Sequence, residues 1–317
     1  MKANLKNWIP YQLAWAKQEW KVDWLDLGDH AVSEPFFDET ISICISSMRM
    51  RSRFHPQSDL NFLLQAAASV QSLAPTAFIF HVSRCGSTLL SQALTTDQDH
   101  IVIAEAPLFD QVLRMREKDV SLTGQELKDI FLAAIQLMGQ QRTGREKHYF
   151  IKLDSWHLHF YALLREWFPD TPFYFLSREP AAVLASHQKR RGIHSIPGYI
   201  LPAVFAMELK PAHFEDFNLY TATVLGGYYN RLKSCHDLNF QHNYFYDYSW
   251  GMQGMVPHFL SAIGLEILKP TMTDRIGFHS KYPSLPFQQE MSPDTSFRYE
   301  VAETAYLKYY ETLSKNG

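Results

Sequence analysis

A chain of 317 residues with 46% hydrophobic residues can bury a substantial core, and a net charge of −3 gives no bulk attraction for nucleic acid. Three cysteines, Cys44, Cys85 and Cys235, are too few, too scattered and odd in number for a disulfide framework or a zinc pattern, and suit a reducing, cytoplasmic setting. The charged, mixed N-terminal stretch lacks the apolar centre of a signal peptide, and no run is long enough to span a membrane.

Residues 1–72 come before any alternation of strand and helix. They hold a β-like run at 41–45, a helical run at 60–70 and several tryptophans. They are expected to form a small extension packed on a main domain of residues 73–317. From there strand and helix patterns alternate: strands at 78–82, 101–104, 149–153 and 173–177, and helical stretches at 88–95, 108–141, 158–167 and 181–189. Alternation of this kind predicts an α/β fold, a parallel sheet flanked by helices, with ligands at the carboxyl ends of its strands. Farther on, the aromatic stretch 205–229 is expected to form core and a wall of the acceptor site, and its spacing at Phe214, Phe217, Tyr220 and Val224 predicts helix.

The first strand of this series ends in Ser83-Arg84-Cys85-Gly86-Ser87-Thr88 and opens into a helix. A strand, a tight loop and a helix N-terminus point backbone N–H groups at an anion, and the helix dipole favours negative charge there. Gly86 permits close backbone approach, Ser87 and Thr88 add hydroxyls, and Arg84 adds a planar cationic fork. Cys85 reads as a small neutral filler of the same loop. Without a ligand the segment is an ordinary turn capped by Ser or Thr. The magnesium-nucleotide form of this device, GxxxxGK[ST], is not met, because no lysine follows Gly86.

A second anion site follows the strand at 173–177. Arg178 stands at the strand end, Pro180 suits the first turn of a helix, and Ser186 lies a little over two turns in. An arginine and a serine so placed can hold a phosphate. The competing reading is an arginine paired with Glu179 and a solvated serine. Gln188-Lys189-Arg190-Arg191-Gly192 then reads either as a solvated helix end or as added grip on an anion.

Together the two sites resemble those of the PAPS-dependent sulfotransferases, bacterial members among them, over residues 78–265. The late segment Asn243-Tyr244-Phe245-Tyr246-Asp247-Tyr248-Ser249 is similar to that family's Tyr-acid strand. The resemblance implies a P-loop-type α/β fold. It also implies that Arg84, Cys85, Gly86, Ser87 and Thr88 cradle the 5′-phosphosulfate of PAPS, and that Arg178 and Ser186 hold its 3′-phosphate. A small-molecule, glycan or lipid acceptor would receive the sulfuryl group, with no metal, no nucleic acid and no membrane span. The N-terminal extension would line the acceptor site. Leu89 stands where many cytosolic members carry a tryptophan against adenine, and Arg275 and Lys281 are loose candidates for the family's closing C-terminal loop.

Two carboxylates at strand ends are candidate bases. Glu105, before Ala106-Pro107, is similar to the catalytic glutamate of bacterial members and is preferred. Asp154 falls where cytosolic members place a histidine, with Lys152 matching the lysine that assists the bridging oxygen. Read without chemistry, both carboxylates are helix N-caps. Two alternatives stay open: an ATP-dependent P-loop phosphotransferase and a nucleotide-binding module without turnover.

Overall fold

The computed structural model describes residues 5–265, 269–279, 282, 284–286 and 297–314. In chain order the elements are β1 (Trp8–Ala16), β2 (Glu19–Asp26), α1 (Phe37–Arg51), β3 (Gln57–Ser58), α2 (Leu60–Ala67), β4 (Ala77–His81), α3 (Ser87–Leu94), β5 (His100–Ala104), α4 (Pro107–Leu113), α5 (Gly124–Met138), β6 (His148–Lys152), α6 (Tyr161–Trp167), β7 (Phe173–Ser177), α7 (Pro180–Lys189), α8 (Pro211–Glu215), α9 (Phe217–Asp237), β8 (Asn243–Asp247), α10 (Met252–Ala262), α11 (Pro270–Ile276) and α12 (Glu300–Ser314). The class is α/β, as the alternation predicts: a five-stranded parallel sheet, order β5-β6-β4-β7-β8, flanked by helices. All five residues of β4 and all five of β7 are buried, the near-continuous apolar run that a parallel strand covered on both faces requires. In this order the chain leaves β4 toward β5 and leaves β7 toward β8, in opposite directions. The switch point of the sheet therefore lies between β4 and β7, where ligands of such sheets bind.

The chain divides into two compact units, Met1–Phe78 with Ser91–Leu153 and Ile79–Leu90 with Asp154–Gly317. Residues 1–72 thus share a unit with β5, β6, α4 and α5. That unit also holds an antiparallel sheet β1-β2-β3, which the sequence reading did not anticipate. Its inward residues Ile9, Tyr11, Leu13, Val22 and Trp24 are buried. Gln140 and Gln111 accept hydrogen bonds from the Asn7 and Leu13 N–H groups, both at 2.7 Å, which fixes β1 onto the same unit.

Two expectations are corrected. Residues 41–45 lie within α1, not in a strand. The alternation of Ile41, Ile43 and Ile45 imitates a strand, but the buried residues Phe37, Thr40, Cys44 and Met48 follow helical spacing, and Ile43 is 46% exposed. Phe214 and Phe217 are not core: they are 56% and 36% exposed. The helix breaks at Asp216, which caps α9 through the Asn218 N–H, and the break turns both rings outward.

Candidate functional site

In the unit that holds the loop, three residues after β4 take left-handed backbone angles: Ser83 (φ 74°), Arg84 (φ 52°) and Gly86 (φ 88°). For the non-glycine pair this costs of order 1–3 kcal/mol each and persists only where the surroundings enforce it. They do. The Ser83 N–H donates to His81 Nδ1 at 3.0 Å, and Ser83 Oγ lies 3.1 Å from His187 Nε2. Arg84 Nη2 donates to the Arg190 carbonyl at 2.6 Å, and Arg178 Nη1 donates to the Arg84 carbonyl at 3.0 Å. Gly86 is favoured by its backbone angle, and a side chain there would also have to displace the end of Met252, since an added Cβ would lie 2.8 Å from Met252 Cε of α10. Ser87 then begins α3, while Cys85 is buried and in no disulfide, and Leu89 is buried in the core.

Arg178 is held at the end of β7. Its carbonyl accepts from Tyr229 Oη at 2.6 Å, and its guanidinium lies 4.3 Å over the Tyr248 ring. Ser177, just before it, donates to Asp247 Oδ2 at 2.6 Å, and the fully buried Asp247 also accepts from the Ser249 N–H and hydroxyl and from Tyr306 Oη. The two expected anion-holding elements therefore meet at the switch point through the Arg178–Arg84 hydrogen bond. Ser186 is half-buried on α7. Of the basic run, Lys189 and Arg190 are exposed, while Arg191 Nη2 donates to Asn218 Oδ1 at 2.8 Å and ties the run to α9.

In the other unit, Lys152 ends β6 fully buried, with Nζ 2.6 Å from Glu105 Oε1. Glu105 follows β5 at φ 54°, fixed by its N–H donating to the Lys152 carbonyl at 2.8 Å. Its side chain is 21% exposed. Helix α4 begins after Ala106, with Pro107 in its first turn, so Glu105 does not occupy the cap position itself. Phe36 lies with its ring 4.9 Å from Lys152 Nζ. Burial, and then the Glu105 charge, raise the Asp38 carboxyl above the usual carboxylate range.

Asp154 is the N-cap of the short 3-10 turn Ser155–Phe160, and its N–H donates to His157 Nδ1 at 3.3 Å. That is the capping role weighed for it above. Arg275 donates to the His279 carbonyl at 3.2 Å beyond the end of α11, and Lys281 lies outside the described residues.

Sequence reasoning missed Phe36 and Asp38, which lie far from Glu105 along the chain. It missed His187 too, whose neighbour Ser186 was singled out. Tyr248, directly after a recognised strand, carried a signal in its position. Among the described residues, no group of three or more His, Cys, Asp or Glu side chains is placed to hold a metal ion, and no helix is long and apolar enough to cross a membrane.

The fold and this loop define an α/β protein with a strand–loop–helix at the switch point of its sheet. No family model matches the chain, and no curated protein does. Several solved structures are similar to it, three sulfotransferases among them. The sulfotransferase STF9 of Mycobacterium avium has 12% identity and a TM-score of 0.46, with 81% of each chain covered. A sulfotransferase of Alicyclobacillus acidocaldarius has 13% identity and a TM-score of 0.41, over 77% of this chain and 96% of that one. The sulfotransferase STF1 of Mycobacterium tuberculosis has 12% identity and a TM-score of 0.43, over 68% of this chain and 76% of that one.

Proposed function

We propose that this chain is a sulfotransferase that moves a sulfuryl group from PAPS to a hydroxyl or amine acceptor. The observation that carries the reading is the hydrogen bond from Arg178 to the Arg84 carbonyl at the switch point. It sets a strand-end arginine, with Ser186 on the helix behind it, against a loop whose backbone takes left-handed angles at Ser83, Arg84 and Gly86.

In this reading the N–H groups at Gly86, Ser87 and Thr88, with Arg84, stabilise charge on the 5′-phosphate as it leaves. Arg178 and Ser186 hold the 3′-phosphate by charge-assisted hydrogen bonds. Sulfuryl transfer is in-line and loose, by analogy with phosphoryl transfer. The acceptor oxygen or nitrogen forms a bond to sulfur, the bond from sulfur to the bridging oxygen breaks, and the acceptor proton passes to Glu105. The products are the sulfated acceptor and adenosine 3′,5′-bisphosphate. Lys152 fixes Glu105 Oε1 and supplies positive charge for the bridging oxygen. Glu105 is preferred to Asp154 as base because it resembles the catalytic glutamate of bacterial sulfotransferases and its carboxylate is held by Lys152 while still 21% exposed.

The test is release of adenosine 3′,5′-bisphosphate from PAPS across a panel of hydroxyl, phenol and amine acceptors. Glu105→Gln should slow turnover by ~10²–10⁴ while leaving nucleotide affinity unchanged. Full turnover in that variant would remove Glu105 from the mechanism.

A further inference from the structure

His187 is wholly buried in α7, next to Ser186, and the mechanism above does not use it. Its two ring nitrogens face different parts of the molecule. Nδ1 accepts the Gly192 backbone N–H at 3.2 Å, and Nε2 lies 3.1 Å from Ser83 Oγ. A backbone N–H can only donate, so Nδ1 carries no proton and the neutral ring must carry it on Nε2. His187 therefore donates to Ser83 Oγ and cannot serve as a base toward that hydroxyl. Burial, with the charges of Arg84 and Arg191 and the neighbouring His194, holds the imidazole down to about 2, so it stays neutral at working pH. The approach is close: a Cβ at Gly192 would lie 3.0 Å from His194 Cε1 and 3.4 Å from His187 Cε1.

We propose that His187 is a positioning residue that locks the left-handed turn at Ser83 and Arg84 and couples the anion loop to the basic turn at residues 190–192. The imidazole spans three parts that a two-phosphate ligand would need at once: the loop, the helix that carries Ser186, and the turn whose Arg190 carbonyl accepts from Arg84. With the latch intact the loop is wound before any ligand arrives, so binding does not have to order it. The proposal rests on the anion-loop reading for its functional consequence and on the hydrogen bonds alone for its conformational one.

The experiment separates the two. In the full-length wild type, ring-nitrogen NMR should find Nε2 protonated and Nδ1 bare, without titration between pH 5 and 8. Amide exchange in residues 83–88 should be slow, and calorimetry gives the affinity for adenosine 3′,5′-bisphosphate. His187→Gln puts an N–H donor near the Nε2 position and should keep both exchange and affinity within about 3-fold of wild type. His187→Asn, which can meet Gly192 but cannot reach Ser83, should speed loop exchange at least 10-fold and weaken binding by ~10–100-fold. Ser83→Ala removes only the acceptor oxygen and should reproduce the Asn result, so the bond is read even where a His187 variant fails to fold. Unchanged exchange in both Ser83→Ala and His187→Asn, or a bare Nε2, overturns the proposal. A wild type that ignores the bisphosphate yet shows the exchange pattern overturns the sulfotransferase reading and leaves the latch standing.

Discussion

The loop after β4 and the turn after β5 both hold non-glycine residues at positive φ, but by different means. Ser83 and Arg84 are tied by hydrogen bonds to His81, His187, Arg190 and Arg178. Glu105 is held by Lys152 twice, its N–H by the Lys152 carbonyl and its carboxylate by the Lys152 ammonium. Several hydrogen bonds from different elements share the hold on the loop's shape. The Lys152–Glu105 ion pair makes each group sensitive to loss of the other.

The comparison breaks most easily at the ion pair, and the break is asymmetric. Glu105→Ala strands a buried ammonium and should cost about 3–5 kcal/mol in denaturant unfolding. Lys152→Met leaves a carboxylate that is 21% exposed and can rehydrate, so it should cost clearly less. Equal losses would mean that the pair is not what holds Lys152 in the core.

The loop's tether shows itself in acid. The folded His187 titrates near 2 against an ordinary value near 6.5, so between those values the unfolded chain binds more protons. Stability from this group is complete above about pH 6.5 and is lost as pH falls, by on the order of 2 kcal/mol between pH 6.5 and 5. His159, pushed down to about 4 by burial, adds a loss of the same sign. Unfolding at pH 7 and pH 5 should show a smaller difference in His187→Gln; an identical slope would remove His187 as its source.

Two weaker changes sharpen the contrast. Tyr248→Leu takes the ring from under the Arg178 guanidinium and should weaken bisphosphate binding by about 0.5–2 kcal/mol, read by calorimetry, with little change in melting temperature. Asp38→Asn removes a carboxylate whose folded value is raised by burial and by Glu105. The raised value means that Asp38 opposes folding above its own titration and ceases to oppose it below. The variant should therefore gain under about 0.5 kcal/mol at pH 7 after solvent screening, and the gain should vanish in acid. A gain that persists at pH 3 would trace to something other than charge.

The parts legible in the sequence are those where local chemistry and tertiary role agree. β4 and β7 are apolar, β-rich and followed at once by loop and helix signals, and both stand where the pattern placed them. Arg84, Gly86 and Arg178 sit at the strand ends that the pattern predicts for them, and folding brings Arg178 to the Arg84 carbonyl. Residues 41–45 misled because β-branched alternation imitates a strand, while burial of Phe37, Thr40, Cys44 and Met48 decides for the helix. β1 and β2 carry little local signal because their apolar residues are broken by Pro10, Lys17, Gln18 and Lys21, and a bulge between Pro10 and Gln12 shifts their register. The hydrogen bonds of His187, and the approach of Phe36 to Lys152, exist only after folding joins positions far apart in the chain, and no local pattern reports them.

The central claim is a site built for two phosphates and no magnesium. The most direct test is calorimetric titration with adenosine 3′,5′-bisphosphate in chelator, beside ATP with magnesium, in wild type and Arg178→Ala. The account predicts tight binding of the bisphosphate alone, weakened by about 2–5 kcal/mol in the variant. Binding of ATP with magnesium alone, or a bisphosphate affinity indifferent to Arg178, would contradict it.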